Sequence, residues 1–243
     1  MKTTALIFTM LLSLATFSAE KWTIASLEWP PFTGATLPDG GAGIMVLKEA
    51  LKAEGIELEV KYLPWTRAIK EAREPDFLGY YPSWPEDVGE GFTKSDVIFK
   101  SPVGFVELVS SPLSWEKMSD LKGKKIGSVQ DYGNTADFNE AVKNGTITTE
   151  VVASDDINVK KVAGGRLDGA FIDLNNLDYY LKNEMKDLKG KVQANKKIIA
   201  EKDLVLAINN SFKDKKAAEV IKKGLAKIKS EKMVKDWLNK NNK

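Results

Sequence analysis

The 243-residue sequence predicts an α/β protein built as two lobes. From residue 20 onward, short strand-length runs interchange with runs whose apolar residues recur at helical spacing, the pattern of alternating β and α units. All nine prolines lie at or before Pro112, so the chain falls into halves of different loop character. A content of 43% hydrophobic and 29% charged residues is ordinary globular usage, enough for a sizeable core.

The elements follow in order. Trp22 to Leu27 alternates as a strand. After the turn Asp39-Gly40-Gly41, the segment Gly43 to Glu54 sets Ile44, Leu47, Ala50 and Leu51 on one helical face. Leu58, Val60 and Tyr62 alternate as a strand, Pro64 opens a helix over Trp65 to Glu71, and Phe77 to Tyr81 is strand-like. An extended run covers Val103 to Val109, with the lobe boundary expected near 106–114. The second half reads as strands at Lys125 to Val129, Ile147 to Val152 and Gly169 to Ile172. Helices are expected at Thr135 to Val142, Ile157 to Ala163 and Leu174 to Leu181. Leu204 to Ile208 is a last strand. Lys215 to Asn239 is helical with a break near Ser230, its lysines solvated and Val220, Ile221, Leu225, Ile228, Val234 and Leu238 inward. No internal repeat or low-complexity tract is present.

Composition closes several functional classes. Cysteine and histidine are both absent, which removes disulfides, thiol nucleophiles, imidazole bases and Cys/His metal sites. A net charge of +2 is too small to attract nucleic acid. Residues 1–19 have the form of a secretory signal: Lys2, an apolar block from Ala5 to Phe17, then Ser18-Ala19. That block falls short of the roughly 20 residues of a membrane-spanning helix. With no cysteine after it to carry a lipid, the expectation is a bacterial periplasmic protein without membrane insertion.

Seven short segments, in this order, carry a resemblance. They are Glu28-Trp29-Pro30-Pro31-Phe32 after the first strand, Gly43 opening a helix, Pro64-Trp65-Thr66-Arg67, Asp76 before a strand, Ser101-Pro102-Val103-Gly104-Phe105, Asp120-Leu121-Lys122-Gly123-Lys124-Lys125-Ile126-Gly127, and Gly165-Arg166-Leu167-Asp168-Gly169-Ala170. Together they resemble the bacterial extracellular solute-binding proteins of family 3, which serve polar amino-acid ABC transporters. The acidic residue usual in the first turn after Gly43 is missing. The resemblance implies a type II periplasmic-binding-protein-like fold: each lobe a sheet flanked by helices, two crossing strands as hinge, and a ligand enclosed on closure. Lobe one is expected over 20–108 with 204–243 returning to it, and lobe two over 109–203.

Candidate ligand-binding residues follow from this frame. Trp29 and Phe32 flank a rigid Pro-Pro loop at a strand end, a place suited to an aromatic wall or to core packing. Trp65 opens a helix, and Arg67 two residues on is a bidentate partner for a carboxylate or a surface ion pair. Tyr80, Tyr81 and Ser83 stand where the family places ligand-contacting serines. Tyr132, Asn134 and Thr135 stand at a helix N-terminus, where amides and a hydroxyl suit an anion or cap the helix. Asp173 ends a strand where the family places the acid that pairs with a ligand ammonium; its competing role is a helix cap.

One departure bears on the ligand. The family arginine that holds an α-carboxylate comes five residues after the last pocket serine, and that count from Ser83 reaches Val88. Either Arg67 or Arg73 substitutes, or the ligand has no α-carboxylate. The reading is therefore a non-enzymatic monomer without cofactor or metal, which captures a small polar solute, an amino acid or another amine-bearing compound, for an inner-membrane ABC permease. A sensory module acting on a membrane partner is the alternative. A dehydratase-like enzyme on the same fold, with Glu28, Asp131 or Asp173 as base, is a further one.

Overall fold

The computed structural model describes residues 20–242; the expected signal segment, residues 1–19, lies outside them. Strand β1 (Glu20–Ser26) runs parallel to both its neighbours, β2 (Ile56–Tyr62) and β3 (Phe77–Ser83). Parallel neighbours require crossovers, which α1 (Ala42–Lys52) and α2 (Trp65–Glu71) provide on opposite faces. The expected stripe of Ile44, Leu47, Ala50 and Leu51 is the buried face of α1.

A short strand β4 (Phe92–Lys94) and the long β5 (Phe99–Leu108) lead out of this sheet. The second lobe alternates β6 (Lys125–Val129), α3 (Ala136–Lys143), β7 (Thr148–Val152), α4 (Asp155–Ala163), β8 (Gly169–Asp173) and α5 (Leu174–Tyr179). A short β9 (Val192–Ala194) precedes the long β10 (Ala200–Asn209), which returns the chain to the first lobe, where α6 (Ala217–Ala226) and α7 (Ser230–Asn241) close it. The strand order is β2-β1-β3-β10-β5-β8-β6-β7, with β4 on β10 and β9 on β5.

The hinge lies where β5 and β10 cross. Phe99 to Val103 pairs antiparallel with Ala200 to Leu204, and beyond that stretch the two strands part. From Val103 onward β5 pairs with β8, whereas β10 from Val205 onward pairs with β3 and β4. The change of partner at Val103 comes earlier than the expected boundary near 106–114, so residues 103–108 pair inside the second sheet.

Each lobe buries both faces of its sheet. In the first, Trp22, Ile24, Leu47, Leu206 and Trp237 fill the side under α1, α6 and α7, while Ala25, Ala68, Ala72, Tyr80 and Phe92 fill the side under α2. In the second, Val159, Val162 and Leu177 cover one face, and Phe105, Trp115, Phe138 and Phe171 the other. The C-terminal helices sit as their pattern predicts: Ile221, Leu225 and Val234 are buried, and Val220, Ile228 and Leu238 are partly so. Gly224 lets α6 approach α1, because a methyl there would overlap the Ala50 carbonyl.

An acidic, aromatic-walled candidate functional site

The cavity between the lobes has a volume of about 100 Å³, and its walls come from strand ends and helix starts on both sides of the hinge. After β1 the chain folds back, the Trp29 N–H donating to the Thr33 carbonyl at 2.8 Å, which fixes the Trp29 ring on the cavity wall. Phe32 stands behind it, ring centres 5.0 Å apart, and packs on Phe99 at 5.4 Å. It is fully buried in the first-lobe core and supports the wall without lining it.

Trp65 begins α2 and lies edge-on to Tyr80 of its own lobe, at 5.6 Å, and to Tyr132 of the other, at 6.3 Å. Two residues further on, about 200° around a helix, Arg67 points away from the cavity. Its side chain is 67% exposed, with Nε 3.7 Å from Glu71. Side chains alternate along β3, so Tyr80 and Pro82 reach the cavity wall whereas Tyr81 is buried on the α1 side; Ser83, the last residue of the strand, also lines the cavity. The Tyr81 hydroxyl meets Gly43, where no Cβ could fit, and has no hydrogen-bond partner.

In the second lobe Tyr132 and Asn134 line the cavity. Thr135 is the N-cap of α3, its hydroxyl buried and unpartnered, making no cap bond and no part of the lining. The loop read as an anion site already faces an acid, because the Asp87 carboxylate stands against Gly133. Asp173 fills two places at once. Its Oδ1 accepts from the Asn175 and Asn176 amides at 2.9 and 3.1 Å, capping α5, and it lines the cavity.

A second buried acid, Asp155, opens α4 and accepts from the Trp29 indole at 3.1 Å across the cleft. Asp155 is 3% exposed and Asp173 5%. Burial pushes both carboxyls up to about 7, against the opposing pull of Trp29 on Asp155 and of Ser101 and the α5 amides on Asp173. Burial also raises Asp87.

Among the described residues four aspartates, Asp87, Asp131, Asp155 and Asp173, thus line the cavity, and no lysine or arginine does. They are dispersed: among the described residues no group of three or more acids could hold a metal ion. The arginines considered for a carboxylate are engaged elsewhere. Arg73 donates to the Glu90 carbonyl at 2.9 Å and lies over the Phe92 ring, while Val88 packs among Ala68, Ala72 and Tyr80. Glu28, one of the bases considered for an enzyme, accepts from the Ala35 amide on the exposed side of its loop.

Sequence reasoning missed Asp155, Asp87, Trp84 and Phe171. Ser154-Asp155-Asp156 has the composition of any helix start, and only the fold turns Asp155 inward. Trp84 directly follows Ser83, the last residue of β3, and could have been included on adjacency alone.

The lobes are held together across the cleft. The Trp65 indole donates to the Asp131 carbonyl at 2.9 Å, the Thr66 hydroxyl to the Asp131 carboxylate, and the Asn176 amide to the Pro30 carbonyl. Two α/β lobes, two crossing strands and a cavity between them decide the architecture. It is the type II periplasmic-binding-protein fold.

Solved structures share this fold. The GluR0 ligand-binding core from Nostoc punctiforme in complex with L-glutamate is 20% identical with a TM-score of 0.71, over 90% of this chain and 98% of that one. An amino acid ABC transporter substrate-binding protein from Streptococcus pneumoniae bound to L-arginine is 14% identical with a TM-score of 0.72, over 91% and 94%. The BvgS VFT2 domain of Bordetella pertussis, as a double mutant, is 16% identical with a TM-score of 0.70, over 89% and 93%. No protein-family model and no curated protein matches the chain by sequence. At these identities the type II likeness is one of fold.

Proposed function

We propose that the protein is a periplasmic binding protein that captures a small amine-bearing solute by lobe closure and delivers it to an inner-membrane ABC permease. The observation that carries this reading is the charge of the cavity: among the described residues, four aspartates and no basic side chain line it, two of the acids almost wholly buried. A buried carboxylate without a cation is costly, and an ammonium ligand would relieve that cost. Trp29, Trp65, Tyr80 and Tyr132 add rings whose faces attract a cation. A ligand bound here touches both lobes only when they are closed, so binding and closure are one equilibrium. The signal-like segment 1–19 supports export, and the likeness to a transporter's binding protein supports delivery. The ligand-binding set is Trp29, Trp65, Tyr80, Ser83, Tyr132, Asn134 and Asp173 from the sequence, joined by Asp155, with Arg67 outside it. The protein acts as a monomer and performs no chemistry on its ligand.

A thermal-shift panel at pH 8 over primary amines, cationic, neutral and acidic amino acids tests this. A ligand at 100 times its dissociation constant adds about 2.7 kcal/mol. Amines should raise the melting temperature and acidic amino acids should not; stabilisation by acidic or neutral amino acids alone would refute the reading.

The BvgS VFT2 likeness supports a second reading, a sensory binding module whose partner is a membrane receptor. The cavity would work in the same way. A permease or a sensor gene beside the coding sequence separates the two.

A further inference from the structure

Resting on the amine-capture reading, we infer that the ligand carries two ammonium groups on a short carbon chain and no carboxylate, one ammonium held at Asp173 and the other at Asp155. The two acids stand at the starts of different helices, α5 and α4, and both line the cavity. Each is buried, and the charges that act on them most are other acids, Asp173 and Asp156 on Asp155 and Glu201 on Asp173. A ligand with one ammonium would leave the other carboxylate buried and uncompensated; one with two would satisfy both.

An unused acceptor lies beside Asp173. An ammonium has three donors and needs as many acceptors. Asn176, whose backbone N–H caps onto Asp173, has a fully buried Oδ1 without a partner. Tyr180, a buried phenol at the end of α5, feels the charge of Asp155. Trp29, Phe171 and Ile172, which line the same cavity, offer an apolar wall for methylenes.

A carboxylate has no counterpart here. Among the described residues no basic one lines the cavity, and Asp87 and Asp131 would repel it. Size points the same way: about 100 Å³ holds on the order of seven to ten water-sized groups, the scale of a four- to six-carbon diamine.

Calorimetric titration of the wild-type protein at pH 8 with pentane-1,5-diamine, its butane and hexane homologues, n-pentylamine and L-lysine tests the inference. n-Pentylamine lacks one ammonium, and L-lysine is pentane-1,5-diamine with a carboxylate added. At least one diamine should bind roughly 30-fold or more tightly than either comparison compound. In Asp155→Asn, which keeps an acceptor for the Trp29 indole, the preference for diamine over n-pentylamine should collapse to within a few-fold. Equal binding of n-pentylamine would overturn the second ammonium, equal binding of lysine would overturn the missing carboxylate, and an undiminished preference in Asp155→Asn would overturn its site. In each of those cases amine capture itself stands. If no amine binds, both the inference and the amine-capture reading fail.

Discussion

Asp173→Asn should make the empty protein more stable and the binding protein worse. In the native state burial raises the Asp173 carboxyl from 3.8 to about 7. A raised acid binds its proton more tightly folded than unfolded, so its contribution to stability falls as pH rises from about 4 and levels off above about 7. At about 1.4 kcal/mol per pH unit, the ionised carboxylate costs the empty protein about 4 kcal/mol at pH 8. Asparagine cannot ionise, yet its oxygen can still accept from the Asn175 and Asn176 amides, which sit 2.9 and 3.1 Å from Oδ1. Allowing about 1 kcal/mol for an imperfect cap, the variant should gain about 3 kcal/mol at pH 8, or about 6–12 °C in melting temperature for a chain of this size. Near pH 4, where wild type is protonated, the gain should vanish. Binding of a cationic ligand at pH 8 should fall about 30-fold to several-thousand-fold, the cost of breaking a buried charge pair. Urea denaturation of both proteins at pH 4 and pH 8, with calorimetric titration at pH 8, checks each part. A variant that is destabilised at pH 8, or whose gain is the same at both pH values, refutes the burial argument; an unchanged dissociation constant removes Asp173 from the site.

Other consequences follow from the same geometry. Amine affinity should weaken below pH 7, because Asp155 and Asp173 take up protons there that a cation must displace; titrations from pH 5 to 8 should show up to about tenfold loss per unit for each acid, and a flat profile contradicts it. Asp156, whose carboxyl is lowered, and Tyr132, whose phenol burial raises, stand beside Asp155 and keep their charge state between pH 6 and 8. Trp29→Phe keeps the ring but removes the 3.1 Å bond to Asp155, so ligand affinity should drop by about 1.5–3 kcal/mol; calorimetry checks it, and unchanged affinity means the bond does not hold the closed state. Arg67→Lys should leave affinity unchanged, since Arg67 is exposed and its pair with Glu71 is a surface one. Gly224→Ala should lower stability by about 1–3 kcal/mol through overlap with the Ala50 carbonyl, with little effect on affinity; a melting curve shows the first and titration the second.

Most of the scaffold was legible because local pattern and final packing agree. The stripe of Ile44, Leu47, Ala50 and Leu51 is periodic in sequence and buried in α1, and Trp65 to Glu71 is helical as its proline start predicts. What escaped depends on distant pairing. Residues 99–102 of β5 are extended because they pair with 201–204, and β4 and β9 exist only through β10 and β5. The site was legible in the same proportion. Asp173, Trp29 and Trp65 occupy positions that motifs mark, whereas Asp155 looks in sequence like any acidic helix start. Arg67 misled because motif spacing says which helix a residue is on and not which way it faces.

The central claim is that a cationic ligand is enclosed between two lobes that close on it, and small-angle scattering of the protein with and without a saturating amine tests it most directly. The amine is one that raises the melting temperature in the panel, with saturation confirmed by titration. The radius of gyration should shrink on saturation, and in Asp173→Asn at the same amine concentration it should not. A radius unchanged in wild type at proven saturation contradicts the account.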